Sequence, residues 1–139
     1  MMEEPRGRIF QDDKFIFSEF NGLKIEKLIV CEVPETHAIA MIYLKVENNS
    51  WYNFFLDVGF AVWGNCGYFE EDDSYNYFDK TDDFQVVNKV ITKIYCEPIK
   101  NHCKVVIELE NEDTLVLQAL NPNDYDSNSE FIKLDNVKL

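Results

Sequence analysis

The sequence is short of histidine and glycine, and its basic residues are half as many as its acids. His37 and His102 are the only histidines in 139 residues, so general acid–base chemistry lacks its usual side chain. The five glycines (Gly7, Gly22, Gly59, Gly64, Gly67) form neither G-x-G-x-x-G nor a Walker A pattern nor a G-x-S-x-G elbow, which leaves nucleotide chemistry and the serine-hydrolase turn without a foothold. No two of the four cysteines (Cys31, Cys66, Cys96, Cys103) stand at C-x₂₋₄-C spacing, which argues against a zinc knuckle, and Cys96, His102 and Cys103 are not spaced as a ligand set or a Cys–His pair. His37 follows Pro34-Glu35-Thr36 and is expected in a solvated turn. No catalytic, metal or cofactor-binding residue is assigned, and the chain is not expected to be an enzyme.

Long apolar runs are also missing. No segment approaches 18 uninterrupted apolar residues, and the acidic start Met1-Met2-Glu3-Glu4-Pro5-Arg6 has no secretory apolar stretch, so a cytoplasmic protein is expected. Three of the four cysteines lie in apolar strand-like runs, where a reduced thiol packs as a small hydrophobe. Thirteen Lys and Arg face 26 Asp and Glu, a net charge of −13, which repels nucleic acid and anionic membranes and attracts basic partners.

What the sequence does have is apolar and aromatic content, 46% and 14%, sufficient for a core. No repeat, Gly/Ser linker or low-complexity tract divides it, so residues 1–139 are read as a single domain. The apolar residues fall in strand-like runs: Lys14–Phe20, Leu23–Val33, Ile39–Glu47, Trp51–Trp63, Val86–Cys96, Val105–Glu110, Thr114–Leu120 and Phe131–Leu134. Asn21-Gly22 signals a type I′ hairpin between the first two, and Pro34 ends the second. Trp51–Trp63 is apolar enough to be buried on both faces at the centre of a sheet, with a kink at Gly59, and Gly64-Asn65-Cys66-Gly67 is the turn that ends it. In Val86–Cys96 the spacing of Val87, Val90, Ile91 and Ile94 suits a helix, but its β-branched content favours a strand. The fold class is mainly β: an antiparallel sandwich or strongly curved sheet of about eight strands with little helix. An open edge strand could pair two copies into a homodimer.

The most unusual stretch is Tyr68–Phe84, YFEEDDSYNYFDKTDDF, read as a loop. Glu70, Glu71, Asp72, Asp73, Asp79, Asp82 and Asp83 stand there against one base, Lys80, a local charge of −6. Three readings apply. It is a solvated acidic loop; or a calcium loop, with Asp72, Ser74, Asn76 and Asp83 at EF-hand positions 1, 3, 5 and 12 but Tyr77 where the loop needs glycine and Lys80 at position 9; or a protein interface. For the interface, Tyr68, Tyr75, Tyr77 and Phe78 supply desolvated contact and the seven carboxylates meet Lys and Arg.

The run Trp51-Tyr52-Asn53-Phe54-Phe55-Leu56-Asp57-Val58-Gly59-Phe60-Ala61-Val62-Trp63 resembles the aromatic W-x-x-F-F-L-D-x-G-F-x-x-W strand of immunity proteins from contact-dependent and other polymorphic bacterial toxin systems, and covers about a tenth of the chain. The resemblance implies an inhibitor whose partner is the toxin made from the neighbouring gene, often a nuclease with a basic cleft. It maps no contact residue onto a position here. Two other classes stay open: a β-sandwich module whose Trp51, Trp63 and Tyr68 stack on a small molecule or sugar, and an enzyme pairing Asp57 with a loop carboxylate.

Overall fold

A computed structural model describes residues 6–9, 15–47, 50–57, 60–99, 102–119 and 129–134. They form eleven strands: β1 (Arg6–Ile9), β2 (Phe15–Ile16), β3 (Ile25–Glu32), β4 (Ile39–Val46), β5 (Trp51–Asp57), β6 (Phe60–Asn65), β7 (Asn76–Asp79), β8 (Ile91–Ile99), β9 (His102–Leu109), β10 (Thr114–Ala119) and β11 (Ser129–Leu134). A single 3-10 turn, Ser18–Phe20, interrupts them.

Two meanders account for the topology. Strands β3 to β6 pair in succession and are flanked by β1 and β7, giving the order β1-β6-β5-β4-β3-β7; β8 to β11 do the same and are flanked by β2, giving β11-β10-β9-β8-β2. Every pairing is antiparallel. The mainly β sandwich expected from the sequence is therefore the fold, and β1, β7, β2 and β11 are its edges.

Alternation along each strand decides what lies between the sheets. Ile42, Leu44 and Val46 of β4, Tyr52, Phe54 and Leu56 of β5, and Ile107, Leu109, Leu115 and Leu117 of the second sheet belong to one buried cluster. In β3 the inward set is Ile25, Leu28 and Val30, a spacing of three and then two. The irregularity comes from a register shift against β4 between Ile25 and Lys27, which inserts Glu26 as an extra residue. The 3-10 turn plugs the cluster: Phe20 meets Tyr52 edge-on at 4.8 Å, and Phe17 meets Trp63 at 4.6 Å and Phe54 at 5.8 Å.

The structure corrects four local expectations. Asn21-Gly22 is not a β-hairpin turn, because β2 pairs with β8 and β3 with β4, so the turn carries the chain from one sheet to the other. Asn21 at φ −61°, ψ 124° and Gly22 at φ 84°, closed by Leu23 N–H to the Phe20 carbonyl at 3.1 Å, make it type II. Trp51–Trp63 is not one kinked strand: Asp57 pairs with Phe60, so it folds back as the β5–β6 hairpin about Val58-Gly59, two residues that lie outside the described set. Tyr68–Phe84 is not all loop, since Asn76–Asp79 pairs with β3 as β7. These strands together with β1 raise the count from about eight to eleven. Val86–Lys89 is turn, and the strand that follows starts at Ile91, later than the sequence suggested.

Phe20→Ala should lower the unfolding free energy by about 3–5 kcal/mol, because a fully buried ring leaves a cavity against Tyr52 and Phe54. Val87→Ala, at a half-exposed turn position, should stay within about 0.5 kcal/mol. Denaturant unfolding of both variants checks the assignment, and equal losses would contradict it.

Candidate functional site

The outer face of the six-stranded sheet is apolar too. Met41 and Tyr43 on β4 and Trp51, Asn53 and Phe55 on β5 point away from the core, and β3 adds Cys31, which is 2% exposed. Such a face needs cover, and the acidic aromatic segment supplies it. After β6 the chain turns at Cys66-Gly67, where the Trp51 carbonyl accepts the N–H of Cys66 (2.9 Å) and of Gly67 (3.2 Å) and Asn65 Oδ1 accepts the Gly67 N–H at 2.9 Å. Gly67 takes φ 75°, open to glycine at little cost. Phe69 then lies over the sheet, its ring 4.9 Å from Tyr43, 5.2 Å from Trp51 and 5.5 Å from Tyr77.

The far end of the segment is tied by a buried threonine. Thr81 Oγ1 accepts the Leu28 N–H at 2.9 Å, the Thr81 hydroxyl donates to Asp79 Oδ1 at 2.6 Å, and Lys80 N–H donates to the Leu28 carbonyl at 2.8 Å. Lys27 Nζ reaches Asp79 Oδ2 at 3.0 Å. Partial burial works to raise the Asp79 pKa, but the Thr81 hydroxyl and N–H and the Lys27 ammonium outweigh it and hold the carboxyl below its ordinary value.

Between these ties the expected interface residues separate into groups. Glu70, Glu71, Asp72, Tyr75 and Tyr77 gather around one open groove of about 730 Å³, floored by Cys31, Met41, Tyr43 and Phe55. Tyr68, 70% exposed, stands outside it, and so do Asp73 and Phe78; Phe78 is 40% exposed with the Lys80 ammonium 5.6 Å from its ring centre. Asp79 is engaged with Lys27 and Thr81, Asp83 lies 3.6 Å from Lys80, and Asp82 is exposed in the turn after β7. A register shift in the β3–β4 pairing at Cys31 and Glu32 lets neighbouring Ala40 and Met41 both line the groove.

No protein-family model, curated protein or solved structure matches this chain.

Burial pushes the Cys31 thiol up to about 11 against a hydrogen bond from Tyr77, and pushes Tyr43 up to about 12, so both stay protonated at neutral pH. Burial raises Tyr77 as well; its hydroxyl accepts the Asp72 N–H at 2.8 Å. Asp72 Oδ1 is occupied by the Ser74 N–H at 2.8 Å, and the four EF-hand-spaced residues lie on either side of and within β7. Among the described residues no group of three His, Cys, Asp or Glu is placed to hold a metal. His37, exposed in the β3–β4 turn at φ 60°, lies 3.5 Å from Glu32, and the side chains of His102 and Asp57 are outside the described set. Trp51, Trp63 and Tyr68 do not converge: Trp63 packs against the core, Trp51 lies beneath Phe69, and Tyr68 is exposed. None of the four cysteines forms a disulfide among the described residues.

Sequence reasoning found the acids and Tyr75 and Tyr77 but missed the floor and Phe69. The signal was that β4 and β5 carry apolar side chains at successive positions, where a sheet with one solvated face would alternate with polar ones. Asn53, on this face but 5% exposed, has a buried Oδ1 with no hydrogen-bond partner among the described residues.

Asn53→Leu should raise stability by about 1–3 kcal/mol by removing that unmet acceptor, and a melting temperature at or below that of the parent would contradict it. Thr81→Val should expose the amides of Leu28 and Lys80 to faster hydrogen exchange while leaving the β9–β10 amides unchanged. Because the Asp79 pKa is lowered by folding, its stabilisation is present above the carboxyl's unfolded value and fades as pH falls through the folded one. Asp79→Asn should therefore be less stable than the parent at neutral pH, with the gap closing below about pH 4. A gap that persisted in acid would show that Lys27 and Thr81 do not act on this carboxylate.

Proposed function

We propose that this chain is an inhibitory binding protein that covers a basic partner with its acidic aromatic face, and that the partner is a bacterial toxin domain of the nuclease class, encoded beside it. The observation that carries the reading is charge left without an internal partner. Glu70, Glu71, Asp72 and Asp73 are exposed and make no ion pair among the described residues, unlike Asp79 and Asp83. Exposed Tyr68 and half-exposed Tyr75 stand among them, and Phe69 and Thr81 hold both ends of the segment to the sheet.

A face of this kind acts in two stages. Its field draws a cationic surface in and raises the encounter rate, and its aromatic rings then supply area that is desolvated on docking. A cleft that binds nucleic-acid phosphates presents the Lys and Arg such a surface needs, so occupation of that cleft, or of ground beside it, excludes the substrate. No catalytic group on the inhibitor is involved. The anchors keep most of the segment ordered beforehand, which limits the entropy lost on binding. The resemblance of Trp51–Trp63 to the aromatic strand of toxin-immunity proteins selects the class of partner; that run forms β5 and β6, which carry part of the face.

The test is capture on the purified chain at low salt, identification of the bound protein, and assay of its activity with and without the chain. One basic protein whose nuclease activity the chain abolishes supports the proposal. The exposed quadruple variant Glu70→Gln, Glu71→Gln, Asp72→Asn, Asp73→Asn should then associate at least about tenfold more slowly at low salt, with a flatter salt dependence. A partner without a basic excess, or an unchanged association rate, contradicts it.

A further inference from the structure

The groove on the acidic face has a more specific composition than charge steering requires. Its floor is hydrocarbon and sulfur, with Met41 and Phe55 beside the buried Cys31. One side carries the rings of Tyr75 and Tyr77 with Tyr43 beneath, and the rim carries Glu70, Glu71 and Asp72. No lysine, arginine or histidine lines it among the described residues. At about 730 Å³ it falls in the range of sites that take up whole small ligands, which leaves room for one long side chain and the backbone that bears it.

Each part narrows the occupant. Three carboxylates at the mouth disfavour an anion. An apolar floor beneath them favours a cation carried on methylenes, since a bare inorganic ion gains nothing from Met41 or Phe55. Aromatic rings beside the carboxylates favour a flat, weakly hydrated cation that can stack on a ring and pair with a carboxylate together; a guanidinium does both, whereas an ammonium is a compact, strongly hydrated point charge. Tyr77 is already fixed, accepting the Asp72 N–H at 2.8 Å and packed 5.5 Å from Phe69, so the groove is formed before anything enters it.

We infer that this groove is the receptor for a single arginine side chain of the basic partner, its guanidinium among the tyrosine rings and rim carboxylates and its methylenes over Met41 and Phe55. The inference rests on the reading of the chain as a binder of a basic protein and names the residue by which that protein is held.

The experiment uses the full chain with ¹³C-methyl-labelled methionine; Met41 is the one methionine away from the first two positions. Nα-acetyl-arginine amide is titrated against it, with the lysine amide and the uncharged isostere Nα-acetyl-citrulline amide as controls. The expected result is a saturable shift of the Met41 methyl with the arginine amide, at least about tenfold weaker with either control. The same loss is expected for arginine in Tyr75→Leu and in Glu70→Gln, Glu71→Gln, Asp72→Asn. These positions are exposed, and the Asp72→Asn change keeps an acceptor for the Ser74 N–H, so folding is retained. An equal response to citrulline or lysine, a response unchanged in both variants, or no saturable Met41 shift overturns the inference. If Met41 stays silent while a captured basic protein still loses association rate in the acid variants, the groove is refuted and the broader function stands.

Discussion

A sheet that is apolar on both faces must be covered twice, and that constraint organises this molecule. The inner face of β3 to β6 is covered by the second meander, with Phe17 and Phe20 filling the space between. Without similar cover, Tyr43, Trp51 and Phe55 on the other face would form an exposed patch of the kind that aggregates. The chain covers it with its own most acidic segment, folded back from Cys66 and pinned by Phe69 at one end and Thr81 at the other. Aromatic side chains are thus used to attach the segment, and carboxylates are left at its surface.

That division separates structural from available charge. Asp79 has the Thr81 hydroxyl, an N–H and the Lys27 ammonium around it, and its work is to hold β7 on β3. Glu70 to Asp73 make no ion pair among the described residues, and Asp72 Oδ1 accepts only the Ser74 N–H, so their mutual repulsion is a cost that folding does not relieve and a cationic surface can. Beside them the rings of Phe69 and Tyr77 are held against Tyr43 and Trp51 of the sheet.

The class of fold was legible because β-branched and aromatic runs are bounded by turn residues, and β3, β4, β9 and β10 fall close to where the alternation puts them. The β5–β6 hairpin was hidden by the apolarity around it: Asp57 and Gly59 are the only turn-type residues near the reversal, and a lone glycine in an apolar run also signals a bulge, so the pairing of Asp57 with Phe60 decides it. Strand β7 was hidden by its polar ends, since Asn76 and Asp79 disfavour strands and only pairing with Glu32 through Ile29 makes one. At Asn21-Gly22 a hairpin and a crossover between sheets have the same local signature, and long-range pairing decides between them. The acidic half of the site was visible as composition. Its apolar half lies on strands far away in sequence, and only the sheet brings Cys31, Met41, Tyr43 and Phe55 under Tyr75 and Tyr77.

On the proposed function, the segment covering the outer face of the six-stranded sheet is where this protein meets its partner. Hydrogen–deuterium exchange of the chain, alone and bound to a captured basic protein, tests it most directly. The account predicts new protection across residues 68–79 and at the β3–β4 turn side of the groove, with the amides of β8 to β11 unchanged. Protection confined to the second sheet, with residues 68–79 exchanging as freely as before, would contradict it.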